Sequence, residues 1–140
     1  MRKIDYLVIH CTASSENASI LGIKEYWRNS LKWKNYGYHF IINRDGSHEN
    51  ITKIENIANG VKNFNHNSIH LSYIGGITTN GVPTDNRTLA QKDKLIYLLR
   101  DLKRRFPTAI IQGHRDFPKV VKACPCFDAK KEYQNLFDFI

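Results

Sequence analysis

The sequence contains little cysteine, little proline and no long hydrophobic run. Its 140 residues include 3 cysteines and 4 prolines, and no stretch approaches the roughly 20 apolar residues of a membrane span. An odd number of cysteines argues against a disulfide framework. A bridge between Cys124 and Cys126, which are separated only by Pro125, would be strained. We therefore expect at least one of these thiols to ligate a metal.

The N-terminal segment lacks the pattern of an export signal. Its first residues are charged, and no long apolar segment follows them. We therefore expect synthesis in the cytoplasm without a signal peptide. A substrate outside the cell would then be reached only after release or through another export system.

The composition is that of an ordinary globular protein, with 41% hydrophobic and 24% charged residues. The length suits one domain, 1–140. The net charge of +8 could reflect a nucleic-acid partner, an anionic cell envelope or nothing specific. Apart from Lys103, Arg104 and Arg105, which end a predicted helix, the basic residues are scattered. Because neither an aromatic–basic RNA motif nor zinc-finger spacing is present, we expect no nucleic-acid partner. We also expect the protein to be a monomer.

Strand and helix patterns alternate along the chain. Strands are predicted at 4–11, at 36–43 with a return strand after the Asp45-Gly46 turn, at 68–74 and, as a short core strand, at 109–111. Helices are predicted from Ile20, from a capping box at Thr88 to the residue before Pro107, and at 128–136. This order predicts an α/β fold, a single domain with a central mixed β-sheet flanked by helices.

Two histidines and a cysteine follow predicted strands. His10 closes strand 4–11, His114 follows Gly113 after strand 109–111, and Cys124 comes ten residues later. Alternation along a strand places His10 and Cys11 on opposite faces, so these two are not expected to share an ion. Two imidazoles and one thiolate give three zinc ligands with a fourth position open, which is typical of a hydrolytic zinc, whereas a structural zinc has four protein ligands. Each histidine alone could instead be a hydrogen-bonded structural residue.

Several short segments, taken together, resemble one family. The chain is similar to the zinc-dependent N-acetylmuramoyl-L-alanine amidases of type 2, which include phage amidase-type lysozymes and the peptidoglycan recognition proteins. The resembling segments run in family order over nearly the whole chain: residues 8–14 (VIHCTAS), 37–42 (GYHFII), 44–46 (RDG), 65–69 (NHNSI), 75–76 (GG), 122–125 (KACP) and 127–128 (FD).

The resemblance implies a zinc amidase site. One Zn²⁺ would be bound by His10, His114 and Cys124, while Tyr38 and Lys122 would flank the reacting carbonyl. In an extended segment, residues two apart share a face, which also favours Lys122 beside Cys124. Tyr38 could alternatively be a core tyrosine and Lys122 a solvated lysine. By the same resemblance, His39 and Cys126 lie outside the site. His39 would be a structural residue, and Cys126 would be a thiol without a role.

The implied reaction is hydrolysis of the amide bond between N-acetylmuramic acid and L-alanine of peptidoglycan, acting in cell-wall lysis or remodelling. Asn65, Asn67 and Ser68 could hydrogen-bond the glycan or peptide, or could equally serve turn and strand entry. Two alternatives stand beside the enzyme. One is a non-catalytic peptidoglycan-binding module of the same fold, and the other is a basic nucleic-acid or regulatory-partner binder with a structural zinc.

The sequence departs from the family pattern at three places. The spacing from His114 to Lys122 is two residues longer than in phage enzymes, which indicates a reshaped loop. Gly60 stands where some relatives carry a histidine, and His70 stands where a glycine is usual. These changes bear on substrate contacts more than on metal binding.

Overall fold

A five-stranded mixed sheet organises residues 1–134, which are the residues described by this computed structural model. Its strands are β1 (Tyr6–Cys11), β2 (Phe40–Ile42), β3 (His48–Asn50), β4 (Ser68–Tyr73) and β5 (Ile110–Gly113). They lie in the order β3-β2-β4-β1-β5. β2, β4, β1 and β5 run parallel, and β3 forms an antiparallel hairpin with β2. The predicted α/β class with a central mixed sheet is confirmed.

Three helices accompany the sheet in the described part of the chain. They are α1 (Ile20–Glu25), which continues as a π-helical turn (Tyr26–Ser30), α2 (Leu89–Arg105) and α3 (Ala129–Tyr133). The helix predicted at 128–136 begins as expected, with Asp128 as its N-cap, and its last two residues lie outside the described residues. None of these helices has the length and apolar character needed to cross a membrane.

The capping box predicted at Thr88 is present. The Thr88 hydroxyl accepts a hydrogen bond from the backbone N–H of Gln91 (3.1 Å), and the Gln91 side chain accepts one from the backbone N–H of Thr88 (3.0 Å). The Thr88 hydroxyl also donates to the Arg44 carbonyl oxygen in the β2–β3 turn (2.6 Å). The cap therefore fixes both the start of α2 and its position against the hairpin.

The two faces of the sheet have different coverings. Leu7, Ile9 and Cys11 of β1 pack in the core that contains the buried leucines of α2: Leu95, Leu98, Leu99 and Leu102. Val8 points to the opposite face, where it packs with Val61 and Phe117. His10 shares that second face by strand alternation. The same face is covered near β2 by the α1 segment, whose Trp27 packs with Ile41.

Some predicted boundaries are wrong. Strand 109–111 is not a core strand, because β5 lies at the sheet edge and Ile110 is 48% exposed. Strand 36–43 is reduced to Phe40–Ile42. The chain before it packs closely on the indole of Trp27, because a Cβ added at Gly37 would lie only 2.8 Å from that ring. Strand 4–11 begins at Tyr6. Tyr38 and His39 therefore precede β2.

The double role of Thr88 generates a stability prediction. Thr88→Ala should lower the free energy of unfolding by about 1–2 kcal/mol, because it removes the cap and the bond to Arg44. Thr88→Ser keeps the hydroxyl and should remain close to the parent. Urea unfolding of both variants, with the exposed-site substitution Lys92→Ala as a control, checks this. Equal stability of Thr88→Ala and the parent would contradict the assigned role of the cap.

Candidate metal centre

His10 and His114 meet at the carboxyl edge of the parallel strands. β1 and β5 pair in a register that places Ile9 beside Gly113, so the next residue of each strand is a histidine at the same edge. Their ring centroids are 4.9 Å apart. The His10 side chain is buried, with 1% exposed, whereas His114 is half-buried and begins a 3-10 turn (His114–Asp116). One ligand is thus held rigidly inside the sheet and the other faces the solvent side.

Cys124 reaches the two histidines through a tightly held turn. Its Sγ lies 3.9 Å from His10 Nδ1 and accepts a hydrogen bond from the backbone N–H of Cys11 (3.1 Å). The Arg115 N–H donates to the Cys124 carbonyl oxygen (2.9 Å), and the Tyr73 hydroxyl donates to the carbonyl oxygen of the next residue, Pro125 (2.6 Å). The thiol is therefore positioned from three directions.

Glycine is required at position 113 for the same turn to pack. A Cβ on Gly113 would lie 2.6 Å from Cδ of Pro125, well inside van der Waals contact. The Gly-His sequence at the end of β5 thus has a packing reason, since the glycine leaves the space that the Cys-Pro turn occupies.

The three side chains have the arrangement and protonation of a metal site. Their ligand atoms all lie within 4.8 Å of one another. Burial lowers the pKa of His10 well below its ordinary value, and neighbouring His70, His114 and Lys122 lower it further. Burial and Lys122 lower the pKa of His114 to about 4. Both imidazoles are therefore neutral at pH 7 and offer a lone pair. With a sulfur as third donor, this set fits a tetrahedral zinc ion with one open position.

Tyr38 lies against this cluster. Its ring centroid is 4.9 Å from that of His10 and 5.3 Å from that of Trp27. Its hydroxyl donates a hydrogen bond to the Cys11 carbonyl oxygen (3.3 Å). Burial raises the pKa of Tyr38 above its ordinary value, so the hydroxyl stays protonated and remains a donor at neutral pH.

Lys122 borders the cluster on its solvent side. It is exposed, and together with His114 it lines a groove of about 610 Å³. Lys119 and Asn65 line the same groove. The Lys122 charge lowers the pKa of both His10 and His114. The role of Lys122 toward a substrate stays a prediction.

Two of the three candidate substrate contacts hydrogen-bond other groups of the protein, and the third, Ser68, is buried. The Asn67 side-chain amide donates to the carboxylate of Asp5 (3.0 Å), and Ser68 is buried at the start of β4, beside Tyr6 and away from the edge that carries His10. The Asn65 side-chain oxygen accepts from the backbone N–H of Val61 (2.7 Å). The geometry favours turn and strand-entry roles for Asn67 and Ser68, while Asn65 also reaches the groove.

Cys126 lies away from the ligands, on the α2 face of the sheet. Its Sγ is 3.9 Å from that of Cys11 and donates to the Gly76 carbonyl oxygen (3.3 Å). Burial and the neighbouring Cys11 raise the pKa of Cys126 to about 11. This thiol is therefore protonated at neutral pH, which does not favour it as a ligand.

Two further histidines stand behind His10. His70 Nδ1 is 2.9 Å from His10 Nε2, and His39 Nδ1 accepts a hydrogen bond from the backbone N–H of His70 (3.0 Å). Both side chains are fully buried, and burial lowers the pKa of His39 to about 4. In the sequence, His70 stands out only as a departure from the family pattern. The available signal was alternation in β4, which puts His70 on the face that His10 occupies in β1.

A mixed sheet that presents two neutral imidazoles and a thiol at its carboxyl edge, beside an open groove, is an arrangement typical of single-metal hydrolases. The comparisons with known proteins are more specific. The N-acetylmuramoyl-L-alanine amidase family matches residues 1–127, and the chain belongs to this family. It is an enzyme that hydrolyses an amide bond of peptidoglycan.

Individual relatives agree with this assignment. The chain is 35% identical to the endolysin of Escherichia phage T7 over 133 residues, which is 94% of this chain and 86% of that protein. It is also 35% identical to the endolysin of Klebsiella phage KP32 over 131 residues, covering 92% and 85%. The amidase LysC from Clostridium intestinale has the same fold, with a TM-score of 0.79, 21% identity and coverage of 96% and 85%. Drosophila PGRP-LB aligns with a TM-score of 0.77, 17% identity and coverage of 100% and 85%.

The two neighbouring cysteines allow a matched test of the ligand set. Cys124→Ser should abolish stoichiometric zinc binding, because it removes the sulfur donor, while circular dichroism shows the fold retained. The parent and Cys126→Ser should each bind one zinc per chain. Zinc content after dialysis measures both. Full zinc occupancy in Cys124→Ser would rule out the assigned ligand.

Proposed function

We propose that this enzyme uses one Zn²⁺, bound by His10, His114 and Cys124, to hydrolyse the bond between N-acetylmuramic acid and L-alanine. The observation that carries the proposal is the convergence of two neutral imidazoles and one thiol at the head of an open groove. When bound, the ion would supply Lewis-acid chemistry toward an amide carbonyl and toward water. We also propose that residues 1–140 act as one amidase domain and as a monomer.

Lys122 provides positive charge where the reaction develops negative charge. Attack on an amide carbonyl moves charge onto the carbonyl oxygen, and a preorganised donor in the site stabilises that oxygen. Lys122 is exposed on the groove wall that also contains His114. Its ammonium can therefore contact a bound substrate without first leaving a buried position.

Tyr38 lies against His10, on the inner side of the site. Its ring packs on His10 and its hydroxyl is fixed on the Cys11 carbonyl oxygen. A protonated hydroxyl held near the ligands can donate a hydrogen bond to the substrate or pass a proton during cleavage.

The groove suits a peptide that carries carboxylates. Lys62, Lys119 and Lys122 contribute three ammonium groups to its lining, and Trp33 and Val121 contribute apolar surface. Peptidoglycan stem peptides combine short apolar side chains with carboxylates. We propose that the stem peptide lies in this groove and that the enzyme acts on the cell wall after release or export by another system, as its similarity to phage endolysins suggests.

A non-catalytic peptidoglycan-binding module is the competing function. The presence of all three ligands together with Tyr38 and Lys122 favours catalysis, since binding alone requires none of these groups.

Digestion of purified peptidoglycan tests the reaction. The zinc-loaded enzyme should release stem peptides with a free L-alanine amino group, identified by mass spectrometry, and a chelator should stop the release. Binding to peptidoglycan without release would instead support the non-catalytic module. Fragments cut within the glycan or within the peptide would contradict the assigned bond.

Two groove lysines provide a second, quantitative test. Lys122→Ala should lower kcat by about 10²–10³-fold, the usual loss for one oxyanion donor, and should keep one zinc per chain. Lys119→Ala removes a groove ammonium proposed only to bind the peptide, so it should leave kcat near the parent value and change KM alone. Loss of zinc from Lys122→Ala would show a role in metal binding, and unchanged kcat would remove Lys122 from the mechanism.

A further inference from the structure

A buried chain of hydrogen-bonding groups runs from the metal centre into the protein. His10 Nε2 lies 2.9 Å from His70 Nδ1, and His70 Nε2 lies 2.9 Å from the Asn65 side-chain oxygen. The same oxygen lies 2.7 Å from the backbone nitrogen of Val61. His10 and His70 are 1% and 0% exposed, so water does not compete for these contacts.

The direction of each bond follows from the far end of the chain. The Val61 backbone N–H can only donate, which fixes its Asn65 partner atom as the acceptor oxygen. That oxygen cannot donate, so His70 Nε2 must carry the proton of the second bond. The His70 ring is 0% exposed, and its two nitrogens contact His10 and Asn65, neither of which carries a negative charge. A cationic His70 would therefore be an uncompensated buried charge, so the ring is neutral and its Nδ1 has a lone pair.

The remaining bond then determines the state of His10. Since His70 Nδ1 is an acceptor, His10 Nε2 must donate its proton there. In a neutral imidazole the other nitrogen is then unprotonated. That nitrogen, His10 Nδ1, is the one that faces Cys124 Sγ, 3.9 Å away.

We propose that His70 is a positioning residue that holds His10 in the tautomer whose Nδ1 is free to bind the metal, with Asn65 and Val61 fixing the direction of the chain. The proposal rests on the metal centre proposed above. Partners of this kind orient ligating histidines, and their loss typically costs about 10- to 100-fold in metal affinity.

Gly60 supplies the space that this arrangement needs. A Cβ at position 60 would lie 2.3 Å from His70 Nδ1 and 2.5 Å from its Cγ. Any side chain there would displace the ring from His10. Gly60 and His70 therefore form one structural unit, although ten residues separate them.

Substitutions at His70 separate positioning from general stability. His70→Leu removes the acceptor and should weaken zinc binding about 10- to 100-fold in competition with a chromophoric chelator. His70→Asn can place an amide oxygen near the position of Nδ1, and it should recover most of the affinity. His39→Leu is the matched control, because it removes a second buried histidine that bonds to the backbone of His70 and not to His10. It should lower thermal stability but keep zinc affinity within about threefold of the parent.

A spectroscopic measurement tests the same inference without a variant and without metal. Long-range ¹H–¹⁵N spectra of the metal-free protein should show the proton of His10 on Nε2 and that of His70 on Nε2. A His10 proton on Nδ1 would overturn the proposal. Zinc affinity of folded His70→Leu within twofold of the parent would overturn it as well.

The outcomes also separate this inference from the proposed function. If His70→Leu fails to fold, the spectra and His70→Asn decide. If zinc binding depends on His70 but peptidoglycan is not cleaved, the proposed function fails and the positioning role stands.

Discussion

The parallel pairing of β1 between β4 and β5 is the constraint on which the site depends. Its register sets Ile9 beside Gly113 and Val8 beside His70. The first pairing brings His10 and His114 together across more than a hundred residues of sequence. The second places His70 beside Val8, on the face that also carries His10. Because β1 is flanked by strands on both sides, its end is rigid, and a ligand at a rigid strand end needs little reorganisation to bind.

The two faces of the sheet carry different side chains near that edge. On the α2 face, Cys11 lies in the apolar core and Cys126 lies beside it, so these thiols are kept protonated and away from the ligands. On the other face the apolar Val8 packs with Val61 and Phe117, and the buried imidazoles of His10 and His70 are hydrogen-bonded to each other. Buried imidazoles cost free energy unless they are hydrogen-bonded, and the bonds from Val61 through Asn65 and His70 to His10 meet that requirement while they orient a ligand.

Two of the sequence departures from the family pattern prove to be neighbours in space. Gly60 and His70 lie in a loop and a strand, and nothing in their spacing indicates contact, yet the ring of His70 occupies the volume that a side chain at position 60 would need. The pattern predicted a strand at 68–74, but how closely the loop with Gly60 approaches that strand depends on packing. The exposed edge position of β5 was missed for a related reason, since the apolar pattern of residues 109–111 does not reveal how many strands flank it.

The sequence by itself determined the element types, the capping box at Thr88, the opposite orientation of His10 and Cys11, and the three residues able to form a nitrogen and sulfur ligand set. These follow from local periodicity and from side-chain chemistry, which depend on near neighbours in the chain. Only the tertiary structure decided that the three candidate ligands converge, that Asn67 bonds to Asp5 while Ser68 is buried, and that His70 contacts His10. Those outcomes depend on strand order, register and loop packing, which are set by contacts between residues far apart in sequence.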